Sequence, residues 1–193
     1  MIRFLCRKLL FGLLGWEEQV SVPRRAKCVI AVAPHTSNWD FIVGELYYAA
    51  LGRHAGFLMK KDWFVGPLGA LFRALGGIPV DRSRHGSMTD AIAQAAREAD
   101  RFELAVTPEG TRKPVDRWKR GFYFIAQKAG LPIQLFAIDY RHKRIVCTRE
   151  VVPSGDFERD WREIMDYYAQ FEGCARRPGN FRVDNCEFSE GRG

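Results

Sequence analysis

The chain has 193 residues, 47% of them hydrophobic, so its length predicts one compact domain with a single core. Thirty Lys and Arg residues against 23 Asp and Glu give a net charge of +7, which favours anionic partners such as lipid headgroups, an acidic carrier or nucleic acid. Five scattered cysteines argue against a disulfide framework and against a zinc ribbon. The histidines show no ligand spacing either, so no metal site is expected.

The N-terminal segment, residues 1–20, contains a helical pattern. Residues 2–16 carry apolar side chains at helical spacing, while Arg3, Arg7 and Lys8 lie off that stripe. The pattern predicts a basic amphipathic helix that either lies on a membrane surface or packs against the domain. No apolar stretch approaches the ~20 residues of a spanning helix, so no transmembrane helix is expected.

From residue 27 onward, short apolar runs alternate with helical patterns. Strands are predicted at 28–33, 57–59, 77–80, 104–106, 133–139 and 143–148, and helices at 38–50, 68–75, 88–99, 121–129 and 156–171. This succession predicts an α/β fold, a single domain at residues 21–172 with a mainly parallel or mixed central sheet flanked by helices. Residues 173–193 are predicted to form a loose C-terminal tail.

A histidine and an aspartate follow the first buried strand. His35 stands at the strand end, where open α/β sheets bind their ligands, and Asp40 lies one helical turn further on. An imidazole in this position can take a proton from a substrate hydroxyl if a carboxylate fixes its tautomer and stabilises the resulting cation. Ser37, Asn38 and Asp40 are also common helix-capping residues, so the pair alone leaves a purely structural role open.

Two further predicted strands also end in polar clusters. The tract at 109–112 offers a carboxylate, a glycine, a hydroxyl and a guanidinium, which together suit an oxyanion such as phosphate. Arg82 follows the strand at 77–80. Each tract alone could equally be a solvated turn or a surface ion pair. Because parallel strands deliver their carboxyl ends to one edge of a sheet, the three clusters together predict one site.

The order and spacing of these tracts resemble the lysophospholipid and glycerol-phosphate acyltransferase family. Residues 35–40 resemble its HxxxxD motif, residues 77–82 its second block and residues 109–112 its EGTR block. The similarity covers residues 27–140. Each motif is short, but the combination in this order is specific.

The resemblance implies an O-acyltransferase with a glycerol-phosphate acyltransferase-like fold. His35 would deprotonate the acceptor hydroxyl, which attacks an acyl thioester directly, and Asp40 would orient His35. The acyl donor would be acyl-CoA or an acyl carrier protein, the acceptor a lysophospholipid such as 1-acyl-glycerol 3-phosphate, and no cofactor is needed. The substrate-binding residues implied in the same way are Arg82, Glu109, Gly110, Thr111 and Arg112.

Other functions remain open at this point. The chain could be a non-catalytic protein that binds anionic lipid, or an acyltransferase for a different lysolipid such as a lyso-aminolipid. A serine hydrolase is disfavoured because no GxSxG elbow occurs, and nucleic-acid binding because the basic residues are dispersed. The expected location is the cytoplasmic face of a membrane, with peripheral or monotopic attachment to an anionic surface. Backbone N–H groups at residues 36–38 are candidates for the oxyanion contact.

Overall fold

The computed structural model describes residues 1–74, 76–80 and 85–184. The strands in this part are β1 (Glu17–Val20), β2 (Lys27–Val32), β3 (Gly56–Lys60), β4 (Gly77–Val80), β5 (Phe102–Val106), β6 (Ile133–Asp139) and β7 (Arg144–Val151). The α-helices are α1 (Ile2–Arg7), α2 (Asn38–Leu51), α3 (Gly66–Ala74), α4 (His85–Glu98), α5 (Gly121–Ala129) and α6 (Phe157–Ala169). A π-helical stretch, Lys8–Leu13, continues α1, and short 3-10 turns lie at Lys61–Trp63 and Pro178–Asn180.

The strands form one mixed sheet in the order β1-β7-β6-β2-β5-β3-β4. Five of them, β2 to β6, run parallel to one another. β7 pairs antiparallel with β6, and β1 pairs parallel with β7. The predicted α/β domain with a mainly parallel sheet is confirmed. Because the five parallel strands share one direction, their carboxyl ends meet at one edge of the sheet.

The central strand β2 is buried on both faces because helices cover both sides of the sheet. Successive side chains of a strand point to opposite faces. Ile30 packs in the cluster that contains Tyr47 of α2, whereas Val29 and Ala31 pack in the cluster that contains Tyr123 of α5. Helices α1 and α2 therefore lie on one face of the sheet, and α4, α5 and α6 on the other.

β2 and β5 are neighbours, but their connections leave in opposite directions. β2 continues through α2 to β3, on the far side of β5, whereas β5 continues through α5 to β6, on the far side of β2. Opposed connections of this kind leave a crevice beyond the carboxyl ends of the two strands. The fold thus places a crevice between the loop after β2 and the loop after β5.

The N-terminal helical segment ends earlier than predicted. Regular helix stops at Leu13, and residues 17–20 form β1, which the sequence pattern did not predict. Leu10 and Trp16 are buried in the core, at 0% and 7% exposure. None of the helices described is long and apolar enough to cross a membrane. The apolar side chains that this segment exposes include Ile2, Phe4, Leu5 and Leu13.

The expectation of a loose tail from residue 173 is wrong for the part of it that the structure describes. Residues 174–184, called the C-terminal strap below, pack on the domain through Cys174, Ala175 and Phe181, all at most 7% exposed. Tyr140 donates its backbone N–H to the carbonyl of Cys174 at 2.8 Å, which fixes the start of the strap beside β6. Residues 185–193 lie outside the described residues.

Candidate active site

The loop after β2 is closed by a capping box at the start of α2. The Ser37 hydroxyl accepts the backbone N–H of Trp39 at 3.1 Å, and the Asp40 carboxylate accepts the backbone N–H of Ser37 at 2.7 Å. Asp40 also accepts the backbone N–H of Thr36 at 2.6 Å. Local capping chemistry therefore holds the Asp40 carboxylate in one place, independently of His35.

His35 and Asp40 lie side by side in this loop. The Nδ1 atom of His35 is 3.5 Å from Oδ2 of Asp40, and their side chains are 18% and 1% exposed. This distance exceeds an ordinary N–H···O hydrogen bond, so in this state Asp40 acts on the imidazole as a nearby buried charge. Because Nδ1 faces the carboxylate, Nε2 is the nitrogen left to accept a proton.

The surroundings of His35 favour its neutral form. Burial lowers the pKa of His35 below its ordinary value of 6.5, the Asp40 carboxylate opposes this shift, and the Arg112 guanidinium adds to it. An imidazole with a lowered pKa stays unprotonated at neutral pH. His35 can therefore act as a general base there.

The loop after β5 is joined to His35 by Glu109. The backbone N–H of His35 donates to both carboxyl oxygens of Glu109, at 2.9 and 3.1 Å. Glu109 is 4% exposed, and burial raises its pKa to about 8, with the nearby Asp40 charge contributing. In this structure Glu109, predicted as a substrate-binding residue, contacts the His35 backbone and positions that loop.

The other residues of this tract form an exposed turn. Gly110 has a φ of +66°, and a side chain there would bring a Cβ within 3.1 Å of Lys119 Cγ, so the turn favours glycine. The Thr111 hydroxyl accepts the backbone N–H of Lys113 at 3.3 Å. Arg112 is exposed, and none of the described carboxylates forms an ion pair with it. The remaining predicted residue, Arg82, lies outside the described residues.

Two of the three backbone donors proposed for an oxyanion are already used. The N–H groups of Thr36 and Ser37 both donate to Asp40. The N–H of Asn38, at the first position of α2, has no acceptor within the described part of the chain. Asn38 is therefore the candidate that remains.

The C-terminal strap contacts both site loops. Its Arg177 N–H donates to the Thr36 hydroxyl at 3.2 Å, and the Asn180 side-chain amide donates to the Arg112 carbonyl at 3.0 Å. Thr36 is completely buried, so the first of these contacts lies inside the protein. The strap thus holds the loop after β2 and the loop after β5 in one arrangement.

Trp118 anchors the second of these loops more firmly. Its backbone N–H donates to the Asp184 carboxylate at 3.1 Å, and its indole N–H donates to the Arg182 carbonyl at 3.0 Å. The ring is 3% exposed and packs against Tyr168 and Phe181, with centroids 5.3 and 5.9 Å away. Both N–H groups of this buried tryptophan therefore find their acceptors in the strap.

The chain matches the Acyltransferase family over residues 17–139. It belongs to the Acyltransferase family. The match covers well over half of the chain, so the protein is an acyltransferase, as the motifs led us to expect. The matched range contains His35, Asp40, Glu109 and Arg112 and ends before the C-terminal strap begins.

Other comparisons bear on the fold. No curated protein matches this acyltransferase. Among solved structures, the 1-acyl-sn-glycerophosphate (LPA) acyltransferase PlsC from Thermotoga maritima is similar, with a TM-score of 0.61 and 17% sequence identity. The similarity covers 88% of this chain and 76% of that chain. At this identity, the match shows a shared fold.

Two residues at the site of the acyltransferase were not predicted. Tyr140 follows β6, and burial raises its pKa, as does the nearby Asp40 carboxylate, whereas Arg176 lowers it. The guanidinium carbon of Arg176 is 5.3 Å from the Trp39 ring centroid and 5.5 Å from that of Tyr140. The strand-end rule could have found Tyr140, because it directly follows the strand predicted at 133–139. No comparable signal marks Arg176.

One cluster in the acyltransferase has the residue types of a metal site. Ligand atoms of Asp139, His142 and Cys174 lie within 4.8 Å of one another. The Asp139 carboxylate already accepts the backbone N–H of His142 at 3.0 Å and contacts its Nδ1 at 2.7 Å. Burial raises the pKa of the Cys174 thiol, and Asp139 raises it further. Hydrogen bonding in the turn between β6 and β7 accounts for the contact of Asp139 with His142, and the bond from the Tyr140 N–H to the Cys174 carbonyl brings Cys174 beside them.

Proposed function

We propose that this acyltransferase moves a fatty acyl group from acyl-CoA or an acyl carrier protein to the free hydroxyl of a lysophospholipid, 1-acyl-glycerol 3-phosphate. The observation that carries the proposal is the placement of His35 beside Asp40, at 3.5 Å, in a loop tied by Glu109 to the loop that bears Arg112. The similar Thermotoga maritima structure is described as acting on 1-acyl-sn-glycerophosphate, which supports this choice of acceptor.

The proposed reaction needs one base and no covalent intermediate. Nε2 of His35 takes the proton of the acceptor hydroxyl while the oxygen attacks the thioester carbonyl carbon. Asp40, next to Nδ1, holds the imidazole and stabilises the imidazolium that forms. The tetrahedral intermediate then collapses, the carbon–sulfur bond breaks, and the leaving thiolate takes the proton from His35. The products are an ester and a free thiol.

The negative charge of the tetrahedral intermediate needs a hydrogen-bond donor to stabilise it. We assign this role to the Asn38 N–H, because the two preceding N–H groups are bonded to Asp40. It lies at the amino end of α2, where the helix dipole adds positive potential. The same helix end thus orients the base, through Asp40, and faces the developing charge.

The acceptor phosphate is assigned to the arginines of the site. Arg112 follows β5, and its charge acts on His35, so a phosphate bound there lies near the base. A guanidinium can bind two phosphate oxygens at once, which fixes orientation as well as distance. Arg82 and Thr111 complete the proposed set, with Gly110 leaving the backbone accessible at the turn. Positioning of this kind is a large part of catalysis by proximity.

We place the enzyme on an anionic membrane surface, attached peripherally from the cytoplasmic side. Phe4 and Leu13 are 60% and 79% exposed, and basic residues, among them Arg7 and Lys8, accompany them. Exposed apolar side chains beside basic ones suit the interface of an anionic bilayer. A lysolipid acceptor resides in that interface, so this location brings the substrate to the site.

The decisive experiment is a transfer assay with the full-length purified protein. Acyl-CoA or acylated acyl carrier protein, labelled in the acyl group, should react with 1-acyl-glycerol 3-phosphate to give labelled phosphatidate. His35→Ala should lose at least about a hundredfold in turnover, since a general base typically contributes ~10²- to 10⁴-fold. His54→Ala, a change at an exposed histidine after α2, is the matched control and should keep full activity. Normal turnover in folded His35→Ala, or no product with either donor, would refute the proposal.

A further inference from the structure

A second cation, outside the recognised motifs, lies at the crevice. Arg176 belongs to the C-terminal strap, beyond the range matched to the family. Its guanidinium is 5.3 Å from the Trp39 ring centroid and 5.5 Å from that of Tyr140. The charges of Arg176 and Asp40 both act on Tyr140, so the guanidinium lies at the site that holds the proposed catalytic pair. In the part of the chain that the structure describes, no carboxylate pairs with Arg176.

Cation–π attraction to the two aromatic rings holds the Arg176 side chain near the site. A guanidinium near an aromatic ring is attracted by the negative potential of the ring face. In the described part of the chain, none of the side-chain N–H groups of Arg176 donates to a carbonyl or carboxylate, so they are available for an oxyanion, which can bind two of them together. An ion pair with a carboxylate would have consumed the same donors. Arg176 is therefore held in place while its binding capacity is kept.

Arg176 and Arg112 approach the crevice from different sides. β2 lies between β6 and β5, and Tyr140, against which Arg176 packs, follows β6, whereas Arg112 follows β5. The strap itself bonds to both loops, through the Thr36 hydroxyl and the Arg112 carbonyl. The two cations thus flank the loop that carries His35. Arg112 and Arg176 can bind one phosphate group from two sides, or each can bind a phosphate group of its own.

We propose that Arg176 is a substrate-binding residue that holds a phosphate group at the mouth of the crevice. The proposal rests on the proposed function, in which donor and acceptor both carry phosphate. The chemistry is that of a phosphate ester, and its source is either the acceptor headgroup or the phosphates of the acyl donor. Hydrogen bonds to a charged group contribute about 1.5–3 kcal/mol, so loss of Arg176 should weaken the affinity about tenfold to a hundredfold.

The test compares Arg176→Ala and Arg176→Lys with Arg162→Ala, a control at an exposed arginine of α6. Arg176→Ala should raise KM about tenfold to a hundredfold for one substrate while changing kcat little. Arg176→Lys keeps the charge but loses the planar fork, so its KM should fall between those of the wild type and Arg176→Ala. Arg162→Ala should match the wild type.

Direct binding separates the two sources and does not depend on turnover. Isothermal titration of the full-length protein uses glycerol 3-phosphate as the acceptor-headgroup probe and coenzyme A as the donor probe. If Arg176→Ala binds glycerol 3-phosphate more weakly and has a raised KM for the acceptor, Arg176 binds the acceptor phosphate. If it binds coenzyme A more weakly and has a raised KM for the donor, Arg176 binds a phosphate of the donor. If Arg176→Ala binds both probes as tightly as the wild type, the proposal is overturned, even where the variant has a lower kcat, a lower stability or weaker sedimentation with anionic vesicles. If the wild type transfers no acyl group, the proposed function has failed, and the titrations still decide whether Arg176 binds phosphate.

Discussion

The Glu109 carboxyl accepts the backbone N–H of His35 through both of its oxygens, at 2.9 and 3.1 Å, and so joins two loops 74 positions apart in sequence. These loops leave adjacent parallel strands, so the sheet already brings them together. The hydrogen bond then fixes the backbone that carries the proposed base. A glutamate in this position acts on the chemistry through the placement of His35.

Substitution of Glu109 should change stability in a pH-dependent manner. Its folded-state pKa of about 8 exceeds its ordinary value of 4.5, so between these pH values the folded protein binds more protons than the unfolded chain. The free energy of unfolding should therefore fall as the pH rises through this window, by at most about 1.4 kcal/mol per pH unit from this group. Urea unfolding at pH 5, 6.5 and 8 measures this slope.

The matched pair for this measurement is Glu109→Gln and Glu109→Ala. The glutamine variant keeps an acceptor for the His35 N–H but cannot ionise, so its stability should vary less over the same pH range. The alanine variant leaves a buried N–H without its acceptor and should lose about 1–3 kcal/mol at pH 5, where wild-type Glu109 is protonated. An equally steep slope in Glu109→Gln would rule out Glu109 as its source.

Acid inactivation should report the lowered pKa of His35. The base must be neutral, so kcat/KM should fall on the acid side with an apparent pKa below 6.5. Arg112 contributes to that lowering, and Arg112→Gln should move the acid limb to higher pH. Arg117→Gln, a change at another exposed arginine of the same loop, should leave the limb in place. If the acid limb of the pH profile does not move in Arg112→Gln, Arg112 does not lower the pKa of His35.

Loss of the Asp184 carboxylate should loosen the loop after β5. Asp184→Ala leaves the buried Trp118 N–H without its acceptor, which costs about 1–3 kcal/mol. Hydrogen exchange should quicken over residues 107–120 more than over β2 or β6. Asp166→Ala, at an exposed position of α6, serves as the control. Uniform quickening over the whole domain would instead indicate general destabilisation.

Membrane binding should depend on the exposed N-terminal side chains. Phe4→Ser, Leu5→Ser and Leu13→Ser together should reduce sedimentation with anionic vesicles at least about tenfold, because each change removes apolar area from the interface. Val152→Ser, at a 66% exposed residue just after β7, is the control. Sedimentation equal to that of the control would show that the N-terminal segment only packs on the domain.

Point substitutions are preferable to deletion of residues 1–16. Trp16 is buried and packs edge-on against Tyr140, with ring centroids 5.1 Å apart, and Leu10 is fully buried. Deletion would therefore remove part of the core and disturb the site itself. Serine at exposed positions changes the surface while leaving these contacts intact.

Much of the fold was predictable because its central strands, β2 and β6, are buried on both faces. The run at 133–139 and the helix at 121–129 have the predicted bounds, since a continuous apolar run and an amphipathic pattern identify them. β1 was missed because three of its four residues, Glu17–Val20, are polar and exposed. Its strand conformation comes from pairing with β7, a tertiary contact that local pattern does not record.

Site residues that follow strand ends were predictable from the sequence. Contacts that depend on long-range packing of the chain were not. Ser37 and Asp40 have the spacing of a capping box, so their backbone bonds were visible in the sequence. The bond between Glu109 and the His35 N–H was not, because backbone partners depend on which strands are neighbours. Arg176 follows no strand and reaches the site only because the strap crosses it.

The strap ties the arrangement of the site to residues that lie far from it in sequence. Its bond from Arg177 to Thr36 spans 141 positions, and that from Trp118 to Asp184 spans 66. A C-terminal segment that adds no strand to the sheet can open in a sub-global step, at a lower free energy than global unfolding. Mild denaturant is therefore expected to abolish acyl transfer while the sheet and its helices are still folded.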